Sequence, residues 1–467
     1  MFENVLGQPA AFQLIQDIEA GLLAPAMLFS GPEASGKGTA ALELGRIISC
    51  ESDDRGMGGP ASWNCLCPAC RSHRLLIHPD MLCLGSRPFS AEIAASTGAL
   101  LRESAVSRET GNSSSRILFI RSIRKLLSRF NPLLWEDDPK GGKIAPLVNS
   151  LEEDLDELDA LSSPERSILE KLTEGMLKTA IKLESEGLGE TIPIAQIRRA
   201  AWWSRLAPLG RGKLLIIENS DRMQEEGRNS LLKLLEEPPG RVHIVLTTTI
   251  PGSLLPTMLS RLRPYRFSSR GAAVEGDVIR RVFRDHDYLE KNAEHSAAGQ
   301  GPEKPEKNNR LSEYLDSFLP VSGDTLEILA AYFAASVAYR AALLSRKQGR
   351  PIPEEVVLLG KATAPRVEAA GLGRPGQSSG AVIALILEKA GGFEIRSLFS
   401  RFLYHLLEQV SLGLKQAPSS FLPSLAYNEI WKKSSLWAQT SVGVYKLRPA
   451  QAMEKIFTDL SRGMSEL

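Results

Sequence analysis

Residues 27–39 read MLFSGPEASGKGT, and no other stretch of the chain limits its fold so tightly. Met27 to Phe29 is a short apolar run, the mark of a buried strand. Gly31-x-x-x-x-Gly36-Lys37 follows, and a helix pattern opens at Gly38-Thr39-Ala40-Ala41-Leu42. Glycines let backbone N–H groups turn inward around phosphate oxygens. The helix N-terminus favours their negative charge, and Lys37 reaches the terminal phosphates. Strand, loop and helix in this order make the near half of a nucleotide-binding α/β fold.

The far half lies between Lys213 and Phe267. Leu214 to Ile217 reads as a buried strand, with Glu218 at its end. A helix pattern then stops at Glu236-Glu237-Pro238-Pro239, because proline cannot continue a helix. Val242 to Leu246 is a second apolar run and leads into Thr247-Thr248-Thr249. Ser260-Arg261 closes the segment.

Together these segments resemble the bacterial DNA polymerase III clamp-loader AAA+ family, and within it the delta-prime kind of subunit. The strings SLLKLLEEPP and LLPTMLSRL carry the resemblance most specifically. It covers residues 1 to about 85 and about 190 to 270 well, and the rest in outline. The resemblance implies a P-loop AAA+ parallel sheet flanked by helices, a small helical lid and an all-α C-terminal collar. It also implies a hetero-oligomer with gamma/tau and delta subunits that opens a ring-shaped sliding clamp and places it on primed DNA.

The nucleotide site expected from these residues comprises Gly31, Gly36, Lys37, Gly38, Thr39 and Glu218. It departs from a hydrolytic P-loop site at two places. Gly38 stands where most P-loops put the Ser or Thr that ligates Mg²⁺. Thr39 comes one position late, about 100° around the helix, and does not replace that hydroxyl. Glu218-Asn219 stands where an active AAA+ ATPase has Asp-Glu, and a neutral amide has no useful proton affinity for a general base. ATP or ADP binding is therefore expected without turnover, and Mg²⁺ loses its usual hydroxyl ligand. A vestigial loop is the alternative.

The Ser260-Arg261 pair matches the family's arginine finger, whose planar fork suits a γ-phosphate on a neighbouring subunit. The plain alternative is a surface arginine capping a helix. Cys50, Cys65, Cys67 and Cys70 match, with altered spacing, a family loop that binds structural Zn²⁺ through four thiolates. A loop of reduced cysteines that has lost its metal is the other reading. Cys83 falls in a strand pattern and is assigned to the core.

Between about residues 86 and 190 the chain reads as a helical insertion. Ile117, Ile120, Ile123 and Leu127 repeat at helical spacing, with Arg121, Arg124, Lys125 and Arg129 interleaved. An acidic stretch, Leu151 to Leu161, is the expected partner of that basic face. Trp202 and Trp203 are adjacent on a helix, so both cannot face one core. The domains expected are 1–270 for the P-loop unit, 271–320 for the lid and 321–467 for the collar. Residues 290–310 are poor in apolar residues and read as a disordered linker.

With 467 residues there is material for two or three domains. A formal charge of +1 gives no global basic field for nucleic acid, so any DNA contact must be local. The sequence read alone offers no apolar run of bilayer length and no leader pattern at MFENVLGQ. Four of the five cysteines cluster in one short loop, which speaks for a reducing cytoplasm over a secreted disulfide framework. Two other functions compete. One is a catalytic gamma/tau-type loader ATPase, against which Gly38 and Asn219 argue. The other is a small-molecule nucleotide kinase, since SGKGT is similar to adenylate kinases, but no arginine-rich phosphate clamp accompanies it.

Overall fold

The computed structural model describes residues 1–52, 61–106, 113–161, 164–189, 191–288, 311–376, 378–393, 396–415, 425–443 and 447–467. The linker expected at 290–310 lies outside them. The chain divides into two compact units, Met1–Phe318 and Leu319–Leu467.

The first unit is built on a five-stranded, fully parallel sheet. Its strands are β1 (Ala26–Ser30), β2 (Met81–Leu84), β3 (Lys213–Ile217), β4 (Val242–Thr248) and β5 (Arg263–Arg266). Their order is β2-β3-β4-β1-β5. Parallel strands need crossovers and are covered on both faces, which is why β1 and β3 are buried at every position and apolar except at Ser30 and Lys213. Alternate residues serve opposite layers. Met27, Phe29, Leu214, Ile216 and Val245 share one core with helices α1 (Pro9–Glu19) and α2 (Lys37–Ser49). Leu28, Leu215, Ile217, Ile244 and Leu246 share the other with α9 (Ile194–Arg205) and α10 (Glu225–Glu236). Pro264 sits in β5 at the sheet edge, the place where a strand tolerates a missing N–H. Trp203 is buried beneath the Lys213 ammonium, while Trp202 is exposed.

Between β2 and α9 stand the two-turn α3's successors in the chain: α4 (Ser90–Val106), α5 (Ser114–Leu127), the short α6 (Pro132–Trp135), α7 (Gly141–Ala160) and α8 (Arg166–Gly187); α3 itself (Pro68–Arg74) precedes β2. Phe119, Ile123, Leu126, Leu151, Leu155, Met176 and Leu183 form a core of their own. The basic and acidic faces meet only at Arg124, which feels the charges of Asp159, Asp156 and Glu152 without a close ion pair to them among the described residues. The close contacts of the basic side chains lie elsewhere, at the loop before β2, at α4 and at the end of β3. Arg121 donates to the Arg74 carbonyl and lies over the Trp63 ring, Arg124 donates to the Leu75 carbonyl, Lys125 pairs with Glu92, and Arg129 pairs with Glu218. A guanidinium finds better partners at fixed carbonyls and buried carboxylates than at solvated acids on a neighbouring helix.

Beyond β5, α12 (Ala272–Val282) and a short helix at Leu311–Asp316 pack around Ile279, Phe283 and Tyr314, against Ala95 of α4.

The second unit is all-α in its described residues, with helices at Gly323–Lys347, Glu354–Ala369, Ser379–Lys389, Arg396–Lys415, Leu425–Gly443 and Pro449–Ser465. Phe333 makes edge contacts with Phe402 and Phe457 at its centre. Gly323–Lys347 corrects the sequence reading, because it has the length and composition of a membrane span. Its most apolar window is 67% buried within the protein, and alanines let neighbouring helices approach it, so it is the central packing element of this unit.

Candidate nucleotide and metal sites

The loop Gly31–Gly36 leaves β1 and delivers the chain into α2, at the C-terminal edge of the sheet where open α/β folds bind ligands. Gly31 is required there. It holds φ at +152°, and a Cβ on it would lie 2.2 Å from the Phe267 carbonyl oxygen. Lys37 is buried, and its Nζ donates to the Gly31 carbonyl at 2.6 Å and the Pro32 carbonyl at 2.5 Å. Burial brings its pKa down to about 8, against the opposing pull of Glu33, Glu218 and Asp221. Arg270, past β5, closes the other side. It donates to the Ala34 and Leu6 carbonyls, and its Nη2 lies 2.6 Å from where a Cβ on Gly36 would be.

Glu218 faces this loop from the end of β3. Its Oε1 lies 2.7 Å from the position of any Cβ on Gly38, so the two sequence-predicted positions do meet. Its Oε2 accepts from Arg129 Nη2 at 2.6 Å and from Arg87 Nε at 3.2 Å. Burial would push the Glu218 carboxyl up, but the Arg129, Arg87 and Lys125 charges outweigh it and hold the group below the ordinary carboxylate value. The donor set does not fit Mg²⁺ in its usual place. Gly38 brings no hydroxyl, and the acid is already held by two guanidinium groups. Asn219, at φ +50°, turns its amide to donate to the Ser86 carbonyl at 2.8 Å. Thr248 at the end of β4 donates to Asp221 at 2.6 Å. Thr39 lies in the first turn of α2 and is partly buried.

Arg261 follows α11 (Pro256–Leu259) on the surface. Its Nη2 pairs with Glu236 at 2.7 Å, and its Nη1 donates to the Thr257 carbonyl at 2.5 Å and approaches Ser260 Oγ at 3.3 Å. Glu236 belongs to the SLLKLLEEPP string, so the two most family-specific motifs touch each other. Ser260 itself donates to the Thr257 carbonyl at 3.1 Å.

Cys50 ends α2, and Cys65, Cys67 and Cys70 lead into α3. All four Sγ atoms lie within 4.8 Å of one another, with Cys50 and Cys65 at 3.7 Å. Four thiolates around a tetrahedral ion at about 2.3 Å stand about 3.8 Å apart, so this donor set can hold a metal. Burial raises the Cys67 thiol, but backbone N–H groups of Cys70 and Glu51 and the neighbouring thiols outweigh it and bring it to about 7. Cys83 is buried in β2, apart from this group. Arg46 of α2 ties the loop to the nucleotide helix. It donates to the Ala61 and Ser62 carbonyls and to Cys70 Sγ, and pairs with Glu43 at 2.5 Å, with both side chains only 1% exposed. Removing one partner of such a pair strands a buried charge. Glu43→Ala should therefore cost about 3 kcal/mol in urea denaturation, whereas Glu174→Ala, in an exposed pair with Lys178, should leave the urea midpoint close to that of the unsubstituted protein. Equal costs would show that carbonyls alone satisfy Arg46.

Three site residues escaped sequence reasoning: Arg87, Arg129 in its role toward Glu218, and Arg270. None carries a local motif. Only Arg129 had a signal, as the last cation of an amphipathic basic helix.

Comparison with known proteins shows what parts of the chain are similar to. Residues 159–270 match the family described as DNA polymerase III, delta subunit. Over 104 residues the chain is 33% identical to the DNA polymerase III subunit delta' of Pseudomonas aeruginosa, which is 22% of this chain and 32% of that protein. Over 87 residues it is 29% identical to the gamma/tau subunit of Mycobacterium bovis, 19% of this chain and 15% of that protein. The chain thus spans about a third or less of the length of these curated relatives. A gamma subunit-related protein of Thermotoga maritima overlays 62% of this chain and 90% of its own, at 17% identity and a TM-score of 0.27.

Proposed function

We propose that this chain, which belongs to the DNA polymerase III clamp-loader family, is a delta-prime-like subunit that helps place the sliding clamp on primed DNA without hydrolysing ATP itself. One observation carries the second half of this reading: Glu218, the acid that would hold the metal, is bound by Arg87 and Arg129 instead. Asn219 supports it, since an amide cannot take the proton of an attacking water and here is bound to the Ser86 carbonyl. The chain's contribution to catalysis is then Arg261, with Ser260 beside it, offered to ATP on a neighbouring subunit. Partners in this reading are gamma/tau and delta subunits, the clamp and DNA within the complex, all in the cytoplasm. Residues 271–320 serve as the lid and 321–467 as the collar that holds the subunits together.

Purification with gamma/tau and delta subunits tests the assembly: one co-eluting hetero-oligomer is expected. The isolated chain should release phosphate from ATP at no more than background. Turnover that Lys37→Ala abolishes would overturn the non-hydrolysing reading and favour a gamma/tau-type ATPase.

The Cys50, Cys65, Cys67 and Cys70 loop carries Zn²⁺ in this proposal, as a closed structural site. Protein purified without chelator should hold about one zinc per chain by elemental analysis. Chelation should unfold the loop and raise its amide exchange, because metal binding free energy is folding free energy here. A metal-free protein of equal stability would mark the loop as vestigial.

A further inference from the structure

Glu218 occupies the place of a metal-holding acid, yet its charge is already matched. Arg129 is 5% exposed and meets Glu218 Oε2 at 2.6 Å. Its Nε and Nη1 are buried without a hydrogen-bond partner of their own, and the Cys83 thiol lies beside it. Arg87 reaches the same oxygen and is held in turn by Glu92 at 2.8 Å. Both guanidinium groups rest on the Phe89 ring, at 4.2 Å for Arg87 and 5.6 Å for Arg129. Glu218 Oε1 remains at the first turn of α2, 2.7 Å from the Cβ position of Gly38.

We propose that Arg87 and Arg129 take the place of the divalent cation, so that the loop Gly31–Gly36 with Lys37 binds a nucleoside di- or triphosphate as the free polyphosphate, without Mg²⁺. An unmatched carboxylate at Glu218 would repel phosphate oxygens, and the two arginines remove that repulsion permanently. A cation arriving with the nucleotide would meet an acid whose charge two guanidinium groups already match at Oε2, and would find no hydroxyl on residue 38. The phosphates then depend on groups this chain supplies: the loop N–H groups, the N-terminus of α2 and Lys37, which exchanges its bonds to the Gly31 and Pro32 carbonyls for phosphate oxygens. Arg270 fixes the loop from the far side through Ala34.

Binding without Mg²⁺ shares the Glu218–arginine contacts with the non-hydrolysing reading but does not depend on assembly with other loader subunits. The test is titration of the isolated full chain with fluorescent N-methylanthraniloyl-ADP, and competition with ADP, in EDTA and in excess MgCl₂. The two dissociation constants should agree within about twofold, and Lys37→Ala should weaken both by about tenfold or more. Arg129→Met should weaken binding in EDTA by about tenfold and make it respond to Mg²⁺, while Arg129→Lys should keep part of it. If Arg129→Met does not fold by circular dichroism, Arg87→Met, with its side chain 26% exposed, carries the same test. Binding by the wild type that Mg²⁺ tightens about tenfold, or no binding in EDTA, overturns the proposal. Co-elution with gamma/tau and delta on the same preparations separates this failure from failure of the functional reading.

Discussion

In a loader assembled from otherwise intact subunits, Arg261→Ala should cut ATP turnover at the adjoining subunit's site while leaving this chain folded and incorporated. A trans-acting guanidinium stabilises charge spread over the γ-phosphate oxygens, and such arginines are worth about 10³–10⁵ in rate where they are the sole finger. The whole complex should lose less, since its other sites keep their own arginines. The structure makes the residue available at small cost. Its Glu236 partner is 46% exposed and its own side chain 33% exposed, a pair worth no more than about 1 kcal/mol. Exchanging that carboxylate for a phosphate is therefore easy. Glu236→Gln should leave turnover near normal, because it removes only the resting partner. Arg261→Lys should rescue poorly, because an ammonium cannot reproduce the bidentate fork. Pre-steady-state phosphate release and clamp loading on primed DNA provide the measurement. Unchanged kinetics in an assembled Arg261→Ala complex would reduce the residue to a helix-end cap on Thr257.

Gly85→Ala should be the most damaging single methyl group that can be added near the site. Gly85 leaves β2 at φ +104°, and its Cβ would stand 2.1 Å from the Glu218 carbonyl oxygen and 2.9 Å from the Glu218 backbone nitrogen. These are backbone atoms locked by the β2–β3 ladder, where Leu84 faces Ile217 and Glu218 N–H donates to the Leu84 carbonyl at 2.9 Å. Neither side can give, so the cost should reach about 4 kcal/mol or more. Gly21→Ala is the control. It also has positive φ, +68°, but nothing lies within 4 Å of the added methyl. It should cost only the left-handed penalty of about 1–2 kcal/mol. Urea midpoints of the two variants decide the matter; equal midpoints would mean that the ends of β2 and β3 can slide apart. The damage should also loosen Glu218 and its arginines, which hang from the same strand end.

Much of the site was legible because its parts are local. A P-loop is one strand, one turn and one helix start, and every constraint on it acts within a dozen residues. The acid-ended β3 and the Cys50–Cys70 loop are local in the same sense, since burial sets the strand's composition and short spacing brings thiols together. The departures at Gly38 and Asn219 were readable too, because chemistry excludes an absent hydroxyl and a neutral amide whatever surrounds them. Charged side chains away from motifs were not readable. Arg87 and Arg129 lie 131 and 89 residues from Glu218, and nothing near them in the chain distinguishes a solvated cation from one that will be buried on an acid. The same holds for the helix Gly323–Lys347, whose burial depends on its neighbours in space. Sequence by itself determined that this chain builds a parallel nucleotide-type sheet with Gly38 in place of a P-loop hydroxyl and a thiol-rich loop. Only the tertiary structure decided that Arg87 and Arg129 bind Glu218, because a buried ion pair is a property of two surfaces brought together by packing, and its energy exists only once water has been excluded from both.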